Sequence, residues 1–249
     1  MTATADAGRA ATPRRRATGT RQDWLVAGCR LVGRATAHAL FDLRVEGAAQ
    51  VPAAGAVLLA GNHTGFVDGP LVFLLAPRPA SLLAKSEIFV GAGQRLFGWL
   101  GLVPVHRGSA DREALRQGLA VLAGGRALGV FPEGRRSTGA LEEITDGLAY
   151  LALRSGAPVV PIAVRGTADA WPKGSPYPRL RRPVRVVFGA PVVLDVPGDP
   201  RARSTVRAAA EQLRLAMLAH MQAHKHAHQR HPHQRPLTSP HDRSEKGMP

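Results

Sequence analysis

The sequence predicts a single α/β domain with a mixed, largely parallel β-sheet flanked by helices and preceded by an amphipathic N-terminal helix. Short apolar runs alternate with helical stretches from residue 43 onward, and this alternation is typical of strands joined by helices. The chain has 249 residues, of which 45% are hydrophobic, so it can bury one substantial core. We therefore place one domain at residues 43–223, with an extension on either side.

The N-terminal region divides into a basic tail and an amphipathic helix. Residues 1–22 are rich in Ala, Thr and Arg without periodicity, which indicates a disordered tail. In residues 23–42, Arg30, Arg34 and His38 recur every four positions beside apolar residues. These charges interrupt any run long enough to cross a bilayer. The helix either lies in a membrane interface with its arginines toward phosphates, or packs on the domain, and the two arrangements are compatible.

The elements of the domain are read from the apolar pattern, in which short apolar runs predict strands and longer stretches predict helices. The predicted strands cover residues 43–46, 56–60, 102–105, 128–131, 159–164 and 184–188. The predicted helices cover residues 70–75, 95–100, 111–122, 147–155 and 203–223. Ligands collect at the carboxyl edge of open α/β sheets, so polar residues that directly follow a strand are the candidate site residues.

The charge balance predicts an anionic partner. Lys and Arg total 33 against 18 acidic residues, a net charge of +15, which fits a lipid head group, a nucleic acid or a phosphorylated substrate. Residues 51–164 carry ten basic and eight acidic side chains, whereas residues 201–249 carry nine and three. Most of the positive charge therefore flanks the central region. Nucleic-acid binding is not expected, because aromatic residues make up only 5% of the chain and no zinc-finger spacing is present.

Cysteine and histidine usage argues against a disulfide framework and a metal site. Cys29 is the single cysteine, which fits a reducing compartment. Seven of the ten histidines lie from His220 onward, and residues 224–249 predict a disordered His-rich tail, because these histidines lack the Cys or carboxylate partners of a defined site. We expect no metal and no cofactor. The N-terminus lacks the apolar centre of a signal peptide, so we do not expect secretion.

The first polar constellation follows the predicted strand at residues 56–60. Asn62 and His63 precede Asp68, and Gly65 lies between them. A neutral histidine can take a proton from an alcohol when an acceptor holds its other ring nitrogen, and Asp68 is the candidate acceptor for His63. Asn62 can order the turn through its side chain. A His and an Asp five residues apart are common by chance, so the pair alone also fits a structural role.

The second polar constellation is Phe131-Pro132-Glu133-Gly134-Arg135-Arg136-Ser137, which follows another predicted strand. Glu133 and Arg136, with Arg107 from a further strand end, would bring guanidinium groups to the same edge of the sheet. Guanidinium groups bind phosphates through paired hydrogen bonds. Glu133 would orient one arginine or bind an acceptor hydroxyl. Either arginine taken separately also fits a structural ion pair.

Four motifs, taken in order, resemble the 1-acylglycerol-3-phosphate acyltransferase (lysophosphatidic acid acyltransferase) family of glycerolipid acyltransferases. They are Asn62-His63 with four residues before Asp68, the segment Pro104 to Arg107, Phe131-Pro132-Glu133-Gly134 with Arg136-Ser137, and Val160-Pro161-Ile162. They span residues 61–166, and four ordered motifs are far more specific than any one of them. Pro161 either shapes an acyl-chain wall or belongs to a plain core strand.

The resemblance implies transfer of a fatty acyl group from acyl-CoA or acyl carrier protein to an alcohol, without a covalent acyl-enzyme. His63 would deprotonate the acceptor hydroxyl, and Asp68 would support it. The implied acceptor is a lysophospholipid, first 1-acylglycerol-3-phosphate, which would give phosphatidic acid. The protein would be peripheral or monotopic at the cytoplasmic face of an anionic membrane. The substrate-binding residues implied are Asn62, Arg107, Glu133, Gly134, Arg135 and Arg136.

The chain departs from the family pattern at two places, which leaves the acceptor open. The family usually has Thr where this chain has Arg135, and commonly a Phe-Lys pair where this chain has Ile144-Thr145. Another lysophospholipid or a glycolipid hydroxyl is therefore an alternative acceptor. Remoter alternatives are a hydrolase, which would need a nucleophile elbow that the sequence lacks, and a non-catalytic basic protein that binds membranes or nucleic acid.

Overall fold

The computed structural model describes residues 21–106, 111–134 and 141–225, in which seven strands form one sheet. The strands are β1 (Asp42–Glu46), β2 (Val57–Gly61), β3 (Ala80–Lys85), β4 (Leu102–Val105), β5 (Ala127–Val130), β6 (Val159–Arg165) and β7 (Pro183–Phe188). Their order is β1-β7-β6-β2-β5-β3-β4, and every neighbouring pair is parallel except β6 and β7. The predicted mixed, largely parallel sheet is confirmed.

Helices cover both faces of this sheet. They are α1 (Arg21–Leu40), α2 (Asp68–Leu75), α3 (Ala92–Trp99), α4 (Arg112–Ala123), α5 (Asp146–Ser155), α6 (Thr167–Ala170) and α7 (Arg203–Ala223), with 3₁₀ turns at Ala48–Gln50 and Ser86–Ile88. One core cluster packs α1, α2 and α6 against the sheet, and a second packs α4, α5 and α7 against the other side. We call these sides the α1–α2 face and the α5–α7 face.

The central strands are buried on both sides, which explains why the sequence shows them as continuous apolar runs. Every residue of β2 and β5 is buried, and so is β6 as far as Val164. Pro161 lies within β6, and its carbonyl accepts a hydrogen bond from the Gly189 N–H. A side chain at Gly189 would meet both Pro161 and His220 of α7. Pro161 therefore packs in the core on the α5–α7 face.

The structure differs from the sequence prediction at strand β3 and at helix α6, neither of which was predicted, and at several element boundaries, including the end of α1. Strand β3 was not predicted, because its run Ala-Ser-Leu-Leu-Ala-Lys contains few residues that favour strands. It forms because it is paired on both sides, with β5 and β4. The N-terminal helix was predicted to reach residue 42 but ends at Leu40, because Asp42 pairs with Pro183 as the first residue of β1. The predicted tails, residues 1–22 and 224–249, lie outside the described residues apart from two residues each.

Arg30 and Arg34 of helix α1 point toward the core of the domain, so the predicted arrangement with both arginines toward membrane phosphates is wrong. Arg30 is buried and donates to the carbonyl of Ala76, and the Arg34 guanidinium donates to Leu74 O at 2.6 Å and Ala76 O at 2.9 Å. These carbonyls end α2, where the helix dipole favours positive charge. Among the described helices, none has an apolar stretch long enough to cross a bilayer.

Candidate active site

The two polar constellations meet at the carboxyl ends of β2 and β5, which are parallel neighbours. His63 follows β2 by two residues and Glu133 follows β5 by three. The backbone N–H of His63 donates to Glu133 Oε1 at 3.0 Å, so the two motifs are in direct contact. The imidazole ring of His63 also lies against Phe131, with ring centroids 4.8 Å apart. The expected clustering at this edge of the sheet is therefore observed for His63 and Glu133.

Asp68 is fully buried at the first position of α2, where its negative charge is favoured by the helix dipole. Its Oδ2 accepts three hydrogen bonds, from Thr64 N at 2.6 Å, Gly65 N at 2.7 Å and His63 Nδ1 at 3.0 Å. The turn between His63 and Asp68 is thus wrapped around the carboxylate. At Oδ2, charge-assisted hydrogen bonds replace water and offset part of the cost of burying the charge, whereas Oδ1 is buried without a hydrogen-bond partner among the described residues.

The hydrogen bond with Asp68 determines which nitrogen of His63 is basic. A carboxylate only accepts, so Nδ1 carries the proton and Nε2 keeps its lone pair. The His63 side chain is 17% exposed, whereas Asp68 is completely covered. His63 therefore presents a proton acceptor at the surface of the site, and the charge that would stabilise the imidazolium lies behind it.

Asn62 was predicted to bind substrate, and its contacts do not support that role. It is buried, its Nδ2 donates to Val164 O at 3.0 Å, and its Oδ1 accepts from Val164 N at 2.7 Å. The amide group therefore continues the parallel pairing of β2 with β6 by one residue. Asn62 fixes where the chain leaves β2, and its polar atoms are occupied within the protein.

Glu133 is half-buried beside the His63–Asp68 turn. Burial raises the pKa of the Glu133 carboxyl above its usual range, and the hydrogen bond from His63 N opposes this effect. Gly134, the next residue, has φ +64°, a left-handed conformation that glycine adopts without strain. Its N–H donates to Phe131 O and closes the turn that directs Glu133 toward His63. Glu133 therefore contacts the backbone of His63 itself, a contact that the sequence did not indicate.

Three predicted phosphate-binding residues fall outside the described part of the chain. They are Arg107, Arg135 and Arg136. Their predicted role stays a prediction.

The same spacing of His and Asp occurs a second time, at the carboxyl end of β4. His106 Nδ1 lies 3.1 Å from Asp111 Oδ2, and the His106 N–H donates to the same oxygen at 2.7 Å. Asp111 also caps α4 by accepting from Ala114 N. The His106 side chain is 73% exposed. This second pair resembles the first in geometry and differs from it in burial.

Sequence reasoning missed Thr167, which lies behind the His63–Asp68 turn. It is fully buried, and its Oγ1 lies 3.1 Å from Thr64 Oγ1. Thr167 follows the end of β6 by two residues, the same position that His63 occupies after β2. The rule that polar residues after strands line the site points to Thr167, but the four sequence motifs end before it, at residue 166.

The fold and the site together define an α/β domain with a partly exposed histidine held by a buried aspartate at the carboxyl edge of its parallel strands. Residues 42–165, about half of the chain, match the family model described as "Acyltransferase". The chain belongs to this acyltransferase family.

Solved structures and curated proteins agree with this assignment. The fold matches the crystal structure of the 1-acyl-sn-glycerophosphate (LPA) acyltransferase, PlsC, from Thermotoga maritima, with a TM-score of 0.60, 25% identity and 81% of each chain covered. A 1-acyl-sn-glycerol-3-phosphate acyltransferase from Cocos nucifera is 34% identical over 54% of this chain. A chloroplastic one from Arabidopsis thaliana is 28% identical over 62% of it. Each of these matches covers 45% of the plant protein's own length.

Proposed function

We propose that this protein transfers a fatty acyl group from acyl-CoA or acyl carrier protein to the free hydroxyl of a lysophospholipid. The first-choice acceptor is 1-acylglycerol-3-phosphate, which would give phosphatidic acid, since the curated relatives carry the corresponding name. The observation that carries the proposal is the His63–Asp68 pair, in which a buried carboxylate holds Nδ1 and leaves Nε2 of a partly exposed imidazole as the candidate base. No cofactor is required for this reaction.

The chemistry follows from this geometry. Nε2 of His63 takes the proton of the acceptor hydroxyl as its oxygen attacks the thioester carbonyl carbon. The tetrahedral intermediate collapses, the C–S bond breaks, and the departing thiolate takes the proton back from the imidazolium. Asp68 remains ionised throughout and stabilises the imidazolium. Glu133 fixes the backbone of His63 and so sets the direction of the ring.

Acceptor binding is assigned to the arginines that follow β4 and β5. Arg107, Arg135 and Arg136 would bind the phosphate of the acceptor. Because Arg135 replaces the usual Thr and the Phe-Lys pair is absent, the acceptor could instead be another lysophospholipid or a glycolipid.

We assign the membrane contact to the outward side of α1. Trp24, Leu25, Leu31 and Val32 are all exposed there, with Trp24 at 74%, while Arg30 and Arg34 point inward. Apolar side chains that face away from the core are suited to the interface of a bilayer. The net charge of +15 would add attraction to anionic lipids. The protein would therefore be peripheral or monotopic, at the cytoplasmic face.

The test is thiol release from oleoyl-CoA and palmitoyl-CoA, each with and without lysophosphatidic acid, with the lipid product identified by mass spectrometry. We expect acceptor-dependent release with phosphatidic acid formed. His63→Ala should lower kcat by about 10²-fold or more, because general-base catalysis typically contributes that much, and His38→Ala, an exposed histidine on α1, should not. Acceptor-independent release would identify a thioesterase. Equal activity of His63→Ala and wild type would exclude His63 as the base.

A further inference from the structure

The junction between β6 and α6 lies directly behind the His63–Asp68 turn. Strand β6 ends at Arg165, Gly166 turns the chain with φ +81°, and Thr167 begins α6. Among the polar residues of the described chain, Asp68 and Thr167 are the two with no exposed surface. A buried hydroxyl is costly unless it is hydrogen-bonded, so the surroundings of Thr167 indicate what it stabilises.

Thr167 contacts both residues whose amides hold Asp68. Its Oγ1 lies 3.1 Å from Thr64 Oγ1. A Cβ at Gly65 would lie 2.6 Å from Thr167 Oγ1 and 2.7 Å from Thr167 Cβ, so only glycine allows this approach. The N–H groups of Thr64 and Gly65 are the donors to Asp68 Oδ2, at 2.6 and 2.7 Å. Thr167 therefore sits against the outer side of the turn, and Asp68 fills its inner side.

We propose that Thr167 is a positioning residue for the base. Its hydroxyl and Cβ hold Thr64 and Gly65 so that both amides point at Asp68, and Asp68 in turn holds Nδ1 of His63. Thr167 touches neither substrate nor reacting atoms and acts through the turn. Its effect on turnover rests on the proposed acyl transfer, whereas its effect on the His63–Asp68 hydrogen bond does not.

The substitution Thr167→Val keeps the shape of the side chain and removes the hydroxyl. We expect kcat to fall about tenfold, the effect of losing one buried hydrogen bond on the geometry of the base, with KM for the acyl donor unchanged. Thr167→Ser keeps the hydroxyl and should restore most of kcat. The matched control is Thr205→Val, which removes a buried hydroxyl from α7 on the α5–α7 face. It should leave kcat as in wild type.

A double-mutant cycle tests the same hydrogen bond from its other end. Thr64→Val should lower kcat as much as Thr167→Val, and the double variant should be no worse than either single one. This arm also covers the case in which Thr167→Val does not fold. Independent losses that multiply in the double variant would overturn the proposal, and so would a Thr167→Ser variant as impaired as Thr167→Val.

A readout without substrate separates this proposal from the proposed function. The Nδ1–H proton of His63 should give a downfield NMR signal in the wild-type protein, identified by its loss in His63→Ala. We expect Thr167→Val to broaden or shift this signal and Thr205→Val to leave it unchanged. If wild type shows no acyl transfer but the signal responds in this way, the proposed reaction fails and the positioning role stands. An unchanged signal and unchanged kcat in Thr167→Val would refute that role.

Discussion

His63 and His106 each precede an aspartate by five residues, and each approaches its carboxylate through Nδ1. The difference that matters chemically is the surroundings. Both carboxylates also accept two backbone N–H groups. The His63 imidazole, however, is only 17% exposed beside a completely buried Asp68, whereas the His106 imidazole is 73% exposed. A buried ion–imidazole interaction is weakly screened, while water weakens the exposed one. This difference favours His63 over His106 as the proposed base, and Asp111 caps α4.

The sequence could predict the His63–Asp68 pair but not the residues that support it. His63 and Asp68 were identified by residue type and spacing, together with their position after a strand. The same spacing at His106 shows that burial, which depends on the whole fold, separates the two pairs. The contact of Glu133 with the His63 backbone and the enclosure of Asn62 by Val164 join residues 70 and 102 positions apart. A local sequence pattern cannot predict contacts between residues so far apart in the chain.

The carboxyl of Glu133 makes a prediction about stability and pH. Burial raises the pKa of Glu133, so the folded protein binds this proton more tightly than the unfolded chain does. When the pH rises and Glu133 ionises, the free energy of unfolding therefore decreases. Glu133→Gln has no charge to bury and can still accept from His63 N. We expect the stability of this variant relative to wild type to increase from pH 4 to pH 8, measured by urea unfolding.

The control for this prediction is Glu143→Gln, an exposed carboxyl outside the site. Its stability should follow that of wild type at both pH values. A Glu133→Gln variant whose stability relative to wild type stays constant or falls between pH 4 and pH 8 would show that the Glu133 charge is not penalised in the folded protein.

At the scale of elements, contacts between elements determine features that the local sequence pattern does not predict. The strands that are buried on both sides, such as β2 and β6, were predicted because their residues are continuously apolar. Strand β3 was missed because an Ala-Ser-Leu-Leu-Ala-Lys run becomes a strand only between two partners. Likewise, the four-residue spacing of Arg30 and Arg34 predicts that both lie on one side of α1. It does not say whether that side faces solvent, a membrane or, as observed, the end of α2.

Arg30 anchors α1 to the body of the domain. Its guanidinium is buried against the Ala76 carbonyl, and burial, together with repulsion from Arg34, lowers the pKa of Arg30 to about 10, so it stays charged at neutral pH. Arg30→Met keeps the apolar stem and removes the charge-assisted hydrogen bond. We expect the free energy of unfolding to fall by about 2 kcal/mol, as is typical for such bonds. Urea unfolding measures it, with the exposed Arg201→Met as the control. Equal loss in both variants would contradict an anchoring role.

At the scale of the whole molecule, helix α1 turns Arg30 and Arg34 toward the domain and therefore leaves apolar residues exposed on its opposite side. A helix on a water-soluble domain usually buries its apolar side, whereas α1 hydrogen-bonds its arginines to α2 and leaves Trp24, Leu31 and Val32 exposed. The helix also contributes Ala37 and Phe41 to the core of the α1–α2 face. Removing residues 1–42 would therefore damage the core together with any membrane contact. Substitution of outward side chains alone is the sharper test.

The outward side of α1 should determine binding to vesicles. In a Leu31→Ser, Val32→Ser double variant we expect the partition coefficient onto anionic vesicles, measured by sedimentation, to fall about tenfold or more, because two apolar side chains no longer enter the interface. Added salt should weaken wild-type binding further, because it screens the attraction between the basic protein and anionic lipid. Leu215→Ser is the matched control, since Leu215 is also exposed but lies on α7 at the other face of the sheet. If the control loses as much binding as the double variant, or if neither loses any, the contact lies elsewhere on the molecule.

An activity measurement separates membrane binding from catalysis. Full activity of the double variant on acceptor in detergent micelles, combined with low activity on vesicles, would show that α1 binds the membrane and does not take part in the chemistry proposed for His63.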